Sequence, residues 1–190
     1  MPTEQAELTS KVEDTIRPSY MAHFVLHTNR RDELVDWYKK LLGAWVQFEN
    51  QRLTFLTFDR EHHRLVIIQH GDLIAPDPQS WGVVHLAYSF PSLEVLVADY
   101  KRLRDLGIMP NRSINHGPTT SFYYTDADGN NIEFQTDNFE NFEATTEYMH
   151  GEDFAHNSRG VNFDPEWMVR ELGRGVPAAT LKIRPRMVKK

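Results

Sequence analysis

The stretch His116–Phe134, HGPTTSFYYTDADGNNIEF, decides how this chain reads. It holds one short β-prone run, Ser121–Thr125, and most of a second, Asn131–Thr136, joined by a turn. The turn, Asp126-Ala127-Asp128-Gly129-Asn130, consists of residues that tolerate positive φ or bond their own backbone. In the second run Ile132 and Phe134 alternate with Asn131, Glu133 and Gln135. That period of two marks a strand with one face in a core. Glu133 therefore sits mid-strand on the face opposite two large apolar residues. On an open face it is simply solvated. If buried it needs a partner or a metal, because an unpaired charge is costly to desolvate. The Asp-x-Asp-Gly spacing is not a calcium loop: its Gly comes too early and no Glu stands at the twelfth position.

Upstream of this hairpin the pattern predicts a strand over Gly82–Phe90 carrying His85, and a helix capped by Ser92. The helix stripe is Leu93, Leu96, Val97, Tyr100, Leu103 and Leu106, and Gly107 closes it. A strand over Met109–Ile114 follows. The same programme occurs earlier. Met21–Thr28 reads as a strand with His23, Val25 and His27 on one face. A helix opens at Asn29 or Asp32, with Leu34, Trp37, Tyr38, Leu41 and Leu42 as its stripe and Gly43 after its end. Three strands are expected over Ala44–Glu49, Leu53–Asp59 and Arg64–His70. Both His23 to Tyr38 and His85 to Tyr100 span 15 residues, and Tyr-Lys-Lys-Leu stands against Tyr-Lys-Arg-Leu. The duplication predicts an α+β fold of two tandem βαβββ modules, each a curved sheet with its helix outside. The expected organisation is an arm over 1–19, a first module over 20–73, a linker over 74–81, a second module over 82–136 and an extension over 137–190. Two helices are expected in the extension, Asn138–His150 and Asp164–Leu172, packing over the cup mouth or onto another subunit.

Composition excludes several classes. With 190 residues, 40% of them apolar, the chain can bury a proper core. A net charge of −6 argues against a nucleic-acid partner. The absence of cysteine excludes disulfides and thiolate metal sites. No apolar run approaches the roughly 20 residues that span a membrane, and the polar N-terminal stretch resembles neither a signal nor a transit peptide. A cytoplasmic location is expected.

The nine histidines are the unusual count. His23 and His85 occupy matching places on the opening strands, and a pseudo-twofold would face them across a cup. With Glu133 they make a two-His-one-carboxylate set, which favours Fe(II), with Mn(II) as an alternative. Zinc also accepts these ligands. The plain alternative is that each His fills a satisfied position in the core. His62 and His63 fall in a polar turn and read as solvated; His27 reads as structural. His150 and His156 lie in the extension, where they could cover the site. Phe55, Phe58, Trp81 and Phe122 are expected to line the cup for an aromatic guest, or to be plain core.

The duplicated module with His23, His85 and Glu133 resembles the vicinal oxygen chelate superfamily over residues 20–136. Within it, His116-Gly117, Ser121-Phe122-Tyr123 and the Asp-x-Asp-Gly-Asn turn ending in Ile-Glu-Phe are similar to the short, single-domain type I extradiol ring-cleaving dioxygenases. Ala127 stands where that family usually has Pro. The resemblance implies Fe(II) held by His23, His85 and Glu133, a catechol-type diol and O2 as substrates, and a homodimer or larger assembly. It implies that Tyr123 and His116 hydrogen-bond substrate oxygens, and that His70 is a distal acid–base residue, against the alternative of a strand-end His facing water. Other readings within the fold are a glyoxalase-like isomerase, an epimerase, a thiol transferase, or a cup that only sequesters an aromatic ligand.

Overall fold

The computed structural model describes residues 16–77 and 79–185; most of the arm expected over 1–19 and the end of the tail lie outside the described residues. Strand β1 (Phe24–Thr28) leads into helix α1 (Arg31–Leu42). Gly43 stops the helix at φ 62°, and its N–H reaches the Lys39 carbonyl. That left-handed turn suits a residue without Cβ. Strands β2 (Trp45–Glu49), β3 (Leu53–Thr57) and β4 (Leu65–Gln69) complete a sheet of order β1-β4-β3-β2, with β1 parallel to β4. The plan then repeats with β5 (Leu86–Ser89), α2 (Leu93–Asp105), β6 (Arg112–Asn115), β7 (Thr119–Thr125) and β8 (Asn131–Asp137). Here β5 runs parallel to β8 and the order is β5-β8-β7-β6. The expected α+β class of duplicated mixed sheets is the observed one. The opening strands are shorter than the sequence suggests, so His23 and His85 each fall just before their strand.

Both helices turn their stripes onto one shared core. Leu34, Tyr38 and Leu41 from α1 and Leu93, Leu96, Tyr100 and Leu103 from α2 meet Leu56, Leu65, Ile67, Phe122, Tyr124, Ile132 and Phe134 from the sheets. Each such side chain contributes about 1.5–3 kcal/mol on full burial. Leu106 is the exception to its stripe: it is the C-cap of α2 and stays half exposed. Polar contacts lock the modules together around this core. The Arg102 guanidinium donates to the carbonyls of Lys40 and Leu41, at 2.7 and 2.9 Å, filling acceptors that the end of α1 leaves unpaired. The buried Tyr38 hydroxyl donates to Asp126 at 3.0 Å. Asp126 in turn accepts from the backbone N–H groups of Asp128 and Asn130, so the hairpin turn and α1 are fixed by one carboxylate.

The extension is richer than two helices. It contains α3 (Phe142–His150), α4 (Glu152–His156), β9 (Val161–Asn162), α5 (Pro165–Gly173) and α6 (Ala178–Leu181). Asn141 caps α3, Asp164 caps α5, and Pro165 takes its first turn. Strand β9 pairs with β6, and Glu166 of α5 meets Tyr100 and Arg104 of α2. All of these contacts are made on the second module. Two of the four residues expected either to line the cup or to be plain core do not line it. Phe122 faces the core, with its ring 5.2 Å from Tyr100, because its strand parity matches that of Phe134. Trp81 stands fully in solvent.

Candidate metal centre

Register places the site residues on the second sheet. Strand β8 sets Glu133 opposite Ala87 on one side and opposite Tyr123 on the other. Strand β6 sets Arg112 opposite Tyr123. These residues share the face turned away from the core. Glu133 is nevertheless only 5% exposed. Its charge is met from two sides: Oε1 accepts from the Tyr123 hydroxyl at 2.8 Å, and Oε2 lies 2.9 Å from Nε2 of His85. His116 Nε2 stands 2.8 Å from the same Tyr123 hydroxyl. The Arg112 guanidinium lies over the Tyr123 ring, 4.1 Å from its centroid.

The electrostatics follow from burial. Desolvation, and then the bond to Glu133, pushes the Tyr123 phenol well above its usual range, so it stays protonated. Desolvation pushes His116 below the usual imidazole value, leaving it neutral at pH 7. The single phenol proton thus has two neighbours able to accept it, Glu133 and, in one tautomer, His116.

The extension helps to shape the site. Arg184 donates to the His116 carbonyl at 3.2 Å. Gly117 has φ 100°, and a Cβ there would collide with the Tyr148 ring. Sequence reasoning passed over Arg112, Tyr148 and Arg184. Arg112 had a findable signal, since it leads a strand antiparallel to the one bearing Tyr123. The other two come from a segment with no repeat to align it.

His23 and His70 are placed elsewhere. The His23 ring lies 4.2 Å from His63, and the His70 ring 4.5 Å from His27. Both pairs belong to the first module. Among the described residues no three His, Asp or Glu side chains gather as a metal-binding group. His85, Glu133, Tyr123 and His116 therefore come together, and His23 and His70 do not join them. The expected meeting of His23 and His85 across one cup fails within the chain. The modules are joined through their helices and shared core, which leaves β1 and β5 as ends of separate sheets.

The donors that do meet fit a divalent ion. Two ligands bound at right angles, each about 2.1 Å from a metal, stand about 3 Å apart. The His85–Glu133 separation of 2.9 Å matches that spacing. One imidazole and one carboxylate are also donors that Fe(II), Mn(II) and Zn(II) accept.

Comparison with known proteins shows the family. Residues 20–134 match the family described as the Glyoxalase/Bleomycin resistance protein/Dioxygenase superfamily. Biphenyl-2,3-diol 1,2-dioxygenase 3 of Rhodococcus globerulus is 42% identical over 172 residues, 90% of each chain. Biphenyl-2,3-diol 1,2-dioxygenase 2 of the same organism is 42% identical over 164 residues, 86% of each. Among solved structures, a glyoxylase/bleomycin resistance protein/dioxygenase domain from Frankia sp. EAN1pec aligns with a TM-score of 0.52 at 19% identity. That alignment covers 64% of this chain and 99% of the other, and at such identity it speaks for the fold alone. With the family match spanning both modules and two relatives aligned through the extension, this chain belongs to the glyoxalase/bleomycin resistance protein/dioxygenase superfamily.

Proposed function

We propose that this protein is an extradiol ring-cleaving dioxygenase that takes a catechol-type aromatic diol and O2 and uses Fe(II). The observation that carries the reading is the run His85–Glu133–Tyr123–His116, in which a buried carboxylate is shared between an imidazole and a phenol. The 42% identity to two biphenyl-2,3-diol 1,2-dioxygenases, over 90% and 86% of this chain, supports it.

His85 and Glu133 would hold the metal; His23, the third ligand that the resemblance implies, stands beside His63 on the first module. Bound Fe(II) would supply adjacent positions for the two diol oxygens and for O2, and a path for electron density from ring to oxygen. The chain's own residues do the rest. Tyr123 holds Glu133 Oε1, which leaves Oε2 as the ligand atom and fixes the carboxylate's orientation. Because its phenol stays protonated, Tyr123 can donate to a substrate oxygen beside Glu133. Neutral His116 can take up a proton or return it through the Tyr123 hydroxyl, 2.8 Å away. Arg112 places a fixed positive charge beside Tyr123, which favours a diol that has lost one proton. His70, the acid–base residue that the resemblance implies, packs against His27 on the first module, so proton handling at this group falls to Tyr123 and His116.

The test is anaerobic loading with Fe(II), followed by 2,3-dihydroxybiphenyl or catechol and air. A yellow ring-fission product with one O2 consumed per diol is expected, and Glu133→Gln should abolish it. Turnover of a non-diol substrate without O2, and no oxygen uptake across a broad catechol panel, would overturn the reading.

A further inference from the structure

Contacts from the extension converge on His116. Strand β9 pairs Val161 with Asn115 at the end of β6, and the turn ahead of β9 runs directly over the next residue. A Cβ on Gly160 would stand 2.5 Å from the Asn115 carbonyl oxygen and 2.7 Å from the His116 Cα. Its φ is 94°, so both the approach and the backbone call for glycine there. Asn157 builds this turn. Its Oδ1 accepts from the N–H groups of Arg159 and Gly160, both at 3.1 Å, and its Nδ2 donates to the Gly160 carbonyl at 2.9 Å. Arg184 ties the turn to the same residue by donating to the carbonyls of Asn157 and His116.

The turn also reaches the imidazole. The His116 ring donates to the backbone carbonyl of Arg159. Nε2 already faces the Tyr123 hydroxyl at 2.8 Å, so the N–H that Arg159 receives is the one on Nδ1. A neutral imidazole carries a single N–H, and holding it on Nδ1 leaves a lone pair on Nε2. The opposite tautomer would set an N–H against the Tyr123 hydroxyl, and the ring could then take nothing from it.

We propose that the turn over residues 157–160 fixes the tautomer of His116 and so makes its Nε2 the acceptor for the Tyr123 proton. Asn157 and Gly160 are positioning residues, acting through the Arg159 carbonyl and not on the diol. The Tyr123 hydroxyl donates to Glu133 at rest, and rotation about its C–O bond turns the proton to His116. In that transfer the Oη–H bond breaks and an Nε2–H bond forms, while the phenol oxygen takes the proton of a diol hydroxyl. The imidazolium that results keeps both N–H groups paired, one with Arg159 and one with Tyr123. This gives the extension a task at the site that neither module performs by itself.

The part this tautomer plays in turnover rests on the dioxygenase reading above, but the tautomer does not, and the test reads them separately. Nitrogen-15 NMR of ring-labelled histidine in metal-free protein, with His116→Gln to assign the signals, shows which nitrogen holds the proton. Wild type at neutral pH should show an N–H nitrogen at Nδ1 and a lone-pair nitrogen at Nε2. Gly160→Ala and Asn157→Ala should draw the two shifts together as the tautomers mix. They should also lower kcat of the Fe(II)-loaded enzyme by roughly tenfold or more, with KM for 2,3-dihydroxybiphenyl unchanged. Asn157→Asp keeps the acceptor for both N–H groups of the turn, so it should restore the wild-type shifts and most of kcat. The Asn157 pair carries the test if Gly160→Ala does not fold. An Nε2–H tautomer in wild type, wild-type shifts in the Ala variants, or mixed tautomers with an unchanged kcat overturns the proposal. The expected wild-type shifts, together with no oxygen uptake on any catechol, overturn the dioxygenase reading and leave the tautomer lock standing.

Discussion

In the second module the sheet face turned from the core holds Glu133, Tyr123 and Arg112, packed and hydrogen-bonded, with the extension laid beside them. In the first module the corresponding positions hold Val66, Phe55 and Phe48: Val66 is buried, Phe55 packs against the His63 ring, and Phe48 stands half exposed. Backbone pairing is the same in both: opening and closing strands run parallel and the middle pairs antiparallel. The difference therefore lies in side chains and in what packs on them. A duplicated frame fixes where a residue stands. It does not fix whether that place is wet, dry or reactive.

Experiments can break this contrast, starting with the polar side. Tyr123→Phe removes the hydroxyl that orients Glu133. A drop of about 10²-fold in kcat is expected with little change in the chain's fold, read by steady-state oxygen uptake. An unchanged kcat would remove Tyr123 from proton handling. On the apolar side the counterpart, Phe55→Leu, should raise KM for the diol by roughly tenfold and leave kcat nearly intact, as loss of aromatic contact does in a binding wall. If kcat fell instead, the two faces would not divide the work in this way.

The lock between the modules gives a smaller effect on stability. Tyr38→Phe removes a buried hydrogen bond to the Asp126 carboxylate and should cost about 1–2 kcal/mol in urea unfolding. A loss near zero would mean that the core alone joins the modules. The smallest effect belongs to the extension. Tyr100, and then Arg104, hold the Glu166 carboxyl below its usual range. Its folded pKa lies below its unfolded one, so the stabilisation is complete above about pH 4.3 and is lost as pH falls through the folded value. The pair is surface-exposed, so the gain is below about 1 kcal/mol. Glu166→Gln should lower Tm by roughly 2 °C at pH 7 and by nothing near pH 3.

How far the site was legible can be argued from its members. Glu133 was legible because period two places it opposite Ile132 and Phe134. Tyr123 and His116 were legible from their motif; the structure sets Tyr123 against Glu133 and His116 against the Tyr123 hydroxyl. Whether Phe122 lines a cup or fills the core was not legible, because parity tells which residues share a face, not which face meets the helix. Strand β9 was missed because two residues carry no periodicity, and its pairing with β6 is a contact between distant segments.

The sequence by itself determined the duplicated βαβββ order, the helix stripes, their glycine stops and the hairpin that carries Glu133. These are local consequences of side-chain period, capping and turn chemistry. Only the tertiary structure decided that the modules join through their helices, that Glu133 is shared by His85 and Tyr123, and that His23 stands apart from both. Which face of one sheet meets another depends on the packing of surfaces far apart along the chain, and no local pattern encodes that choice.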